Sequence, residues 1–543
     1  MDSYPELFND VFGPVMQPGS SSHTAAPCRL GHLAGNLLGE PAAHIRVLLD
    51  KKGSFAGTFG IMAEDRAMVA GVLGLLPDDA RLFRAFELAK EAGVEVAFEF
   101  TELTESAHPN AMKFVLTGQS GNTVCLVGNS TGGGMVETVM VDDFPLQTKG
   151  DTFLLLLFDR RSALGPEPLR GLSSELHELV EASEIRLEGR GVLYVFRLAV
   201  EPDRNALRAA IGDGSPDVGV ALLNPVLPVI TRPDRKPQLF NTMTGWREIA
   251  EERGKRLWET AVRYEMDASG WPRERVIDYM RGLVRLMHRQ TRAAYEEDLP
   301  IPRSPFKPDF PFLWARHAAS EQRLSEGIVA QTIKWAYGAG AGIPGVETVP
   351  GPMGGGGGYI YAALSAVKEA RGLSDHDLLR GLFVAGGVGA IAFSRTEPTG
   401  ERIGCTGESG VCGAMAAAGI VEMVGGTAQQ AEDAASLSLQ AAIGMPCDPI
   451  PGGLGQPCRS RILAVTCMAH VFADLALAGH GAVLLLHEAI DVADAVGRSL
   501  PAELLCTSKG GACATPTAQR CAEAYRSWYE ASRPEDRPPG NLI

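Results

Sequence analysis

The last third of the chain carries several segments that are apolar on nearly every side, among them "GAMAAAGIVEMV", "AASLSLQAAIG" and "ILAVTCMAHVFADLALAG". A helix without a polar face must lie inside a bundle, so these segments demand a large helical core around them. Glycine- and proline-rich loops run between them, and three of those loops carry a cysteine: "IGCTGESG", "MPCDPIPGG" and "QPCRSR". Pro446, the neighbouring prolines and the glycine pair break any helix between Cys447 and Cys458. Two thiols are therefore fixed in a loop, either as incidental packing or to grip something soft.

The 543 residues exceed one core, and roughly two to four domains are expected. The net charge of −15, with no basic patch interleaved with aromatics, argues against nucleic-acid or anionic-membrane binding. The start "MDSYPELFND" has no secretory pattern, and the run "GHGAVLLLHEAI" is short for a bilayer span, so a cytoplasmic protein is expected. Eight of the ten cysteines follow residue 400. In a reducing compartment they are free, catalytic or metal-bound, and a buried thiol filling a core is the plain alternative for any one of them.

The expected class is α+β. Residues 1–147 read as an α/β domain, with strands at "HIRVLLDKKGSF" and "VEVAFEFTEL" and a helix at "DRAMVAGVLGLL". A hairpin is expected over "NAMKFVLTGQSGNTVCLVGNS", turning at Ser120-Gly121-Asn122. Residues 150–230 read as βαββαβ, a ferredoxin-like order that resembles an ACT-type module, with helices at "PLRGLSSELHELVEA" and "PDRNALRAAIG". Residues 240–543 read as a mostly helical domain holding the cysteine loops. Edge-to-edge pairing of such modules makes a homodimer the expected assembly.

No paired C-x-x-C is present, so structural zinc fits less well than an iron–sulfur cluster held by widely spaced thiolates. "GERIGCTGESGVCGAMAAAG", "GGTAQQAEDAASLSLQAAIGMPCDP", "PCRSR" and "TSKGGACATP" resemble the catalytic domain of iron–sulfur-dependent L-serine dehydratases. "FGPVMQPGSSSHTAAP", "HPNAMKF" and "NSTGGGM" resemble segments of the family's other domain, so the resemblance runs over nearly the whole chain. It implies a single-chain form with fused beta and alpha parts. It also implies a [4Fe–4S] cluster on Cys405, Cys447 and Cys458, no pyridoxal phosphate, and loss of water and ammonia from a β-hydroxy amino acid.

The catalytic candidates are His23, Lys509 and Ser21, and the general base is open among His23, Lys509 and the thiols Cys412, Cys506 and Cys513. The resemblance places Ser20, Ser22, Thr24, His108, Asn110, Ser130, Gly355, Gly356, Thr507, Ser508 and Gly510 around a small-molecule substrate. On residue chemistry alone, Ser20 to Thr24 is otherwise a helix cap with one histidine, and Thr507 to Gly511 either an anion-binding nest or an exposed loop. His470, His480 and His487 read as structural.

Departures from the family pattern fall around the substrate. Met62 stands at an expected histidine, Met353 and Gly354 at expected threonine and asparagine, and Thr399-Gly400-Glu401-Arg402 replaces Ser-Gly-Ala-Glu. The chain ends Asn541-Leu542-Ile543 where members end in a cysteine able to cap the cluster, leaving Cys412, Cys506, Cys513 and Cys521 as substitutes. A widened glycine loop would admit a bulkier substrate than serine, and Arg402 would meet an extra carboxylate or pair with Glu401 or Glu408. Sulfide elimination from cysteine and a non-catalytic amino-acid or iron–sulfur sensor remain as alternatives.

Overall fold

The computed structural model describes residues 4–60, 62–161, 176–203, 218–299, 310–450, 456–507 and 509–531. The first part is a six-stranded sheet ordered β2-β1-β3-β4-β5-β6. Its strands are β1 (Ala42–Asp50), β2 (Glu95–Thr101), β3 (Ala111–Gly118), β4 (Thr123–Gly132), β5 (Met135–Val141) and β6 (Phe144–Pro145). Only β1 and β2 pair in parallel. The crossover between them carries helix α2 (Glu64–Val72), which packs on α1 (Ala26–Leu38). Strand β3 alternates buried and half-buried positions, the period-2 pattern of a strand with one face on the core.

A second sheet holds β7 (Phe153–Asp159), β8 (Leu179–Leu187), β9 (Gly191–Leu198) and β10 (Val218–Leu223), ordered β10-β7-β9-β8 and antiparallel throughout. This is the order in which a split β-α-β unit places its strands. Leu154, Leu156, Leu193 and Val195 point into the core shared with the first sheet, while Leu155, Leu157, Tyr194 and Phe196 build a smaller cluster opposite. The expected helix over 168–182 is corrected at its C-terminal end: Leu179 onward is strand β8. Residues 176–178 ahead of it are not helical, with a turn at 177–178, and the rest of that helix, with nearly all of the one expected over 202–212, lies outside the described residues.

The remainder is helical: α3 (Met243–Glu252), α4 (Leu257–Ser269), α5 (Arg273–Glu296), α6 (Gly327–Ala339), α7 (Gly356–Arg371), α8 (Asp375–Arg395), α9 (Val411–Met423), α10 (Ala428–Gln440), α11 (Cys458–Leu477) and α12 (Leu486–Arg498). Every residue of α9 is buried. It crosses α8 where Gly381 and Gly419 meet, and a Cβ on Gly419 would stand 2.7 Å from the Gly381 carbonyl oxygen. Two helices, α8 and α11, are by length and composition long enough to cross a membrane, which the reading of apolar runs missed. The most apolar stretch of α8 is 78% buried in protein, as in a core helix, whereas α11 turns Val471 and Leu475 outward.

The first apolar side chains of the chain belong to a different core from the first sheet. Tyr4, Leu7, Phe8, Val11 and Phe12 lie in the core of the helical part. Met16 and Thr348 then exchange backbone hydrogen bonds, and the chain crosses to the α/β part at Ser20.

Candidate active site

The crossing point is a buried turn. Ser20 Oγ accepts from the His23 amide at 3.2 Å, capping the segment that continues into α1. Thr24 donates to the Met62 carbonyl at 2.7 Å. Ser22 donates to Glu401 Oε1 at 3.0 Å, joining residues 379 positions apart. Ser22 has one proton, so its oxygen is left to accept from His23 Nδ1–H at 2.9 Å. His23 Nε2 lies 3.2 Å from Ser54 Oγ, and Ser54 in turn donates to Asn110 Oδ1. Burial, against the opposing charge of Glu401, lowers the His23 pKa and favours the neutral ring.

Facing this turn, the cysteine loops meet. Cys405 follows Gly404, whose φ of 70° suits glycine, and its thiol lies 2.9 Å from Ser409 Oγ. Cys458 opens α11, and Cys447 is in hydrogen-bonding contact with both Cys458 and Cys506. Backbone bonds hold that last pair together: Cys506 N donates to Cys447 O at 2.7 Å, and Cys447 N to Leu504 O at 2.8 Å. The contact with Cys447, and then burial, raise the Cys458 pKa; burial, and then Cys458, raise that of Cys405.

Among the described residues, no three cysteine, histidine, aspartate or glutamate side chains stand at the spacing a single metal ion needs. A four-iron cluster makes a different demand, because each thiolate ligates its own iron. The residues fit that demand: the buried thiols of Cys447, Cys458 and Cys506 line one cavity, and Cys405, buried but not part of its wall, lies within electrostatic reach of Cys458. Gly400 keeps the cradle open, since a Cβ there would stand 2.7 Å from Cys447 Sγ and 3.1 Å from Glu408 Oε2.

Between turn and thiols lies a cavity of ≈ 120 Å³ whose wall includes Ser20, Ser21, Ser22, His23, Cys447, Cys458 and Cys506. The sequence departures Met62, Met353 and Gly354 line it too. Gly354 does not widen it, correcting that expectation. A Cβ there would meet the Ser21 amide at 2.8 Å, so glycine lets the loop approach the serine turn. Gly355 lines the cavity, and Gly356 begins α7 against Cys412 Sγ.

Several candidates lie elsewhere. Lys509 is exposed and outside the cavity wall, Thr507 donates to Glu503 O at 3.1 Å, and Ser508 is outside the described residues. The loop at Gly510 and Gly511 does bind an anion, but it is the protein's own: Asp448 accepts from Ala512 N at 2.7 Å and pairs with Arg461. His108 sits behind Asn110, accepting its amide proton at 3.1 Å, and burial, followed by the charge of Arg402, lowers its pKa to about 4. Ser130 is buried beside Asn110, its amide donating to the Asn110 carbonyl at 3.1 Å. Arg402 pairs with Glu397 at 2.8 Å, neither with Glu401 nor with Glu408. Sequence reasoning gave no role in the site to Glu401, Glu408, Tyr359 or Arg459, all of which line the cavity. Burial, and then the charge of Glu401, push Glu408 up to about 8, so it is protonated at neutral pH.

A model of the serine dehydratase alpha chain matches residues 252–512. The L-serine dehydratase beta chain of Peptoniphilus asaccharolyticus is 34% identical over 210 residues, covering 37% of this chain and 90% of that one. The chain belongs to the L-serine dehydratase family. Membership makes it a lyase of the hydro-lyase class. The alpha chain of the same organism is 27% identical over 284 residues, 52% of this chain and 97% of that one. This dehydratase-family chain is thus similar to two separate chains there. The L-serine dehydratase of Mycobacterium tuberculosis is 34% identical over 172 residues, and the match spans 37% of that protein.

Proposed function

We propose that the protein eliminates water from L-serine or a related β-hydroxy amino acid, using a [4Fe–4S] cluster held by Cys405, Cys447 and Cys458. Loss of water leaves an enamine, which tautomerises to an imine and is hydrolysed to a 2-oxo acid and ammonia. When bound, the cluster supplies Lewis acidity to the β-hydroxyl, otherwise a poor leaving group. The observation carrying this reading is the meeting of the cysteine loops with the Ser20–His23 turn across one small cavity.

The remaining work falls to the chain's own groups. Ser20 and Ser21 line the cavity, and their hydroxyls suit a substrate carboxylate, whereas the Ser22 proton is held by Glu401. Met62 and Met353 give the wall an apolar, adaptable surface that favours a substrate with some aliphatic bulk.

The test is Cys447→Ser, purified without oxygen beside the wild type. The expected variant lacks the visible sulfur-to-iron absorption and forms no 2-oxo acid. Full turnover by iron-free protein would overturn the reading. Assaying serine, a larger β-hydroxy amino acid and cysteine in parallel assigns the leaving group.

A further inference from the structure

We propose that Glu401 is the general base of this protein, its carboxylate taking the α-proton of the substrate. The assignment rests on the lyase reading above and concerns which group starts the elimination.

Geometry supplies the argument. Glu401 is 8% exposed and lines the cavity from the helical part of the chain. Met62 offers no basic atom, and Lys509 is exposed away from the cavity wall. His23 lines the cavity, but Nδ1 gives its proton to Ser22, Nε2 lies 3.2 Å from Ser54, which is not part of the cavity wall, and the ring lies edge-on to Phe55 at 5.1 Å. The basic nitrogen of this neutral ring is thus beside Ser54 and not beside the substrate space. Glu408, the other cavity carboxyl, interacts with all three cradle cysteines. Glu401 is the carboxylate on the serine-turn side, and Oε1 alone accepts from Ser22. Its other oxygen is available to a substrate whose carboxylate lies on the Ser20 and Ser21 hydroxyls.

Behind Glu401 stand Ser22 and His23, hydrogen-bonded in series, with the Ser54–Asn110 pair packed against the far side of the ring. These act as positioning residues. They fix the carboxylate, and the neutral imidazole holds Ser22 in the orientation that donates. In the step itself the α-proton forms an O–H bond with Glu401, the C–H electron pair becomes the Cα=Cβ bond, and the Cβ–O bond breaks to release hydroxide. The proton taken by Glu401 and the hydroxide together make the water lost, so no oxidant or reductant is needed.

The experiment compares wild type, Glu401→Gln and Glu401→Ala, each anaerobic and cluster-loaded. Glu401→Gln is expected to lower kcat by about 10²–10⁴-fold while keeping serine affinity by calorimetry and the visible spectrum. It also stops wash-out of substrate α-deuterium into water. Formate restores turnover to Glu401→Ala. Wild-type kcat and α-deuterium wash-out in Glu401→Gln would overturn the assignment, and so would failure of formate in a folded, substrate-binding Glu401→Ala. If wild type dehydrates no β-hydroxy amino acid, the lyase reading itself falls, a result distinct from a working enzyme indifferent to Glu401.

Discussion

Cys506 holds a left-handed backbone with φ of 58°, uncommon for a residue with a side chain, and two backbone bonds to the Cys447 loop maintain it. Strain of this kind survives where neighbours over-determine it, and here they bring a further thiol to the cradle. Gly400 shows the same tightness from the other side. Gly400→Ala is expected to displace Cys447 Sγ, lower iron content and destabilise the fold by about 1–3 kcal/mol. Iron content and a urea melt check this, and unchanged iron would contradict it. Cysteines and a Ser-Ser-Ser-His turn were legible because those residue types carry chemistry in any context. Glu401 was not, because a carboxylate is normally solvated. Only the meeting of Thr399 to Ile403 with the serine turn buries it.

Helix α1 begins two residues beyond Thr24, so its placement sets that of the turn. It crosses α2 backbone to backbone. A Cβ on Gly71 would strike the Cys28 carbonyl and come within 2.7 Å of the His32 amide, and one on Gly31 would strike the Met68 carbonyl. Gly71→Ala is expected to force the helices apart, cost about 1–3 kcal/mol in a urea melt, and reduce kcat through the displaced turn. Native stability with native turnover would refute this. The sequence resolves such elements unevenly. The amphipathic helices and the β3–β4 hairpin follow from periodicity, because one face of each is buried. "LVEA" reads equally as the end of a helix, and pairing with β9 makes it the start of a strand, a partnership that no local pattern records.

Joining the parts is the work of the first residues, whose apolar side chains fill the helical core while buried acids anchor their backbone. Leu7 N donates to Glu265 Oε2 at 2.7 Å, and Glu6 pairs with Arg235. Burial raises the Glu265 pKa from 4.5 to about 8, against the hydrogen bond from Leu7. Between those values the folded protein keeps a proton that the unfolded chain has released. This group's contribution is therefore complete below about pH 4.5 and is lost as pH rises to about 8, at up to about 1.4 kcal/mol per pH unit. Glu265→Gln, neutral throughout, is expected to gain on the wild type across that window in urea melts, and parallel curves would contradict it. The division into an α/β part and a helical bundle was readable from composition, but the swap of the N-terminal segment was not, because a short apolar run does not say which core it enters. At the scale of the whole molecule the central claim is that the cysteine loops hold an iron–sulfur cluster that the serine turn faces. The most direct measurement is iron and acid-labile sulfide in anaerobically purified protein, with the visible spectrum recorded before and after L-serine. The account predicts iron and sulfide in equal amounts and a charge-transfer band that shifts when a β-hydroxy amino acid enters the cavity. Protein without iron or sulfide that still dehydrates serine would contradict it.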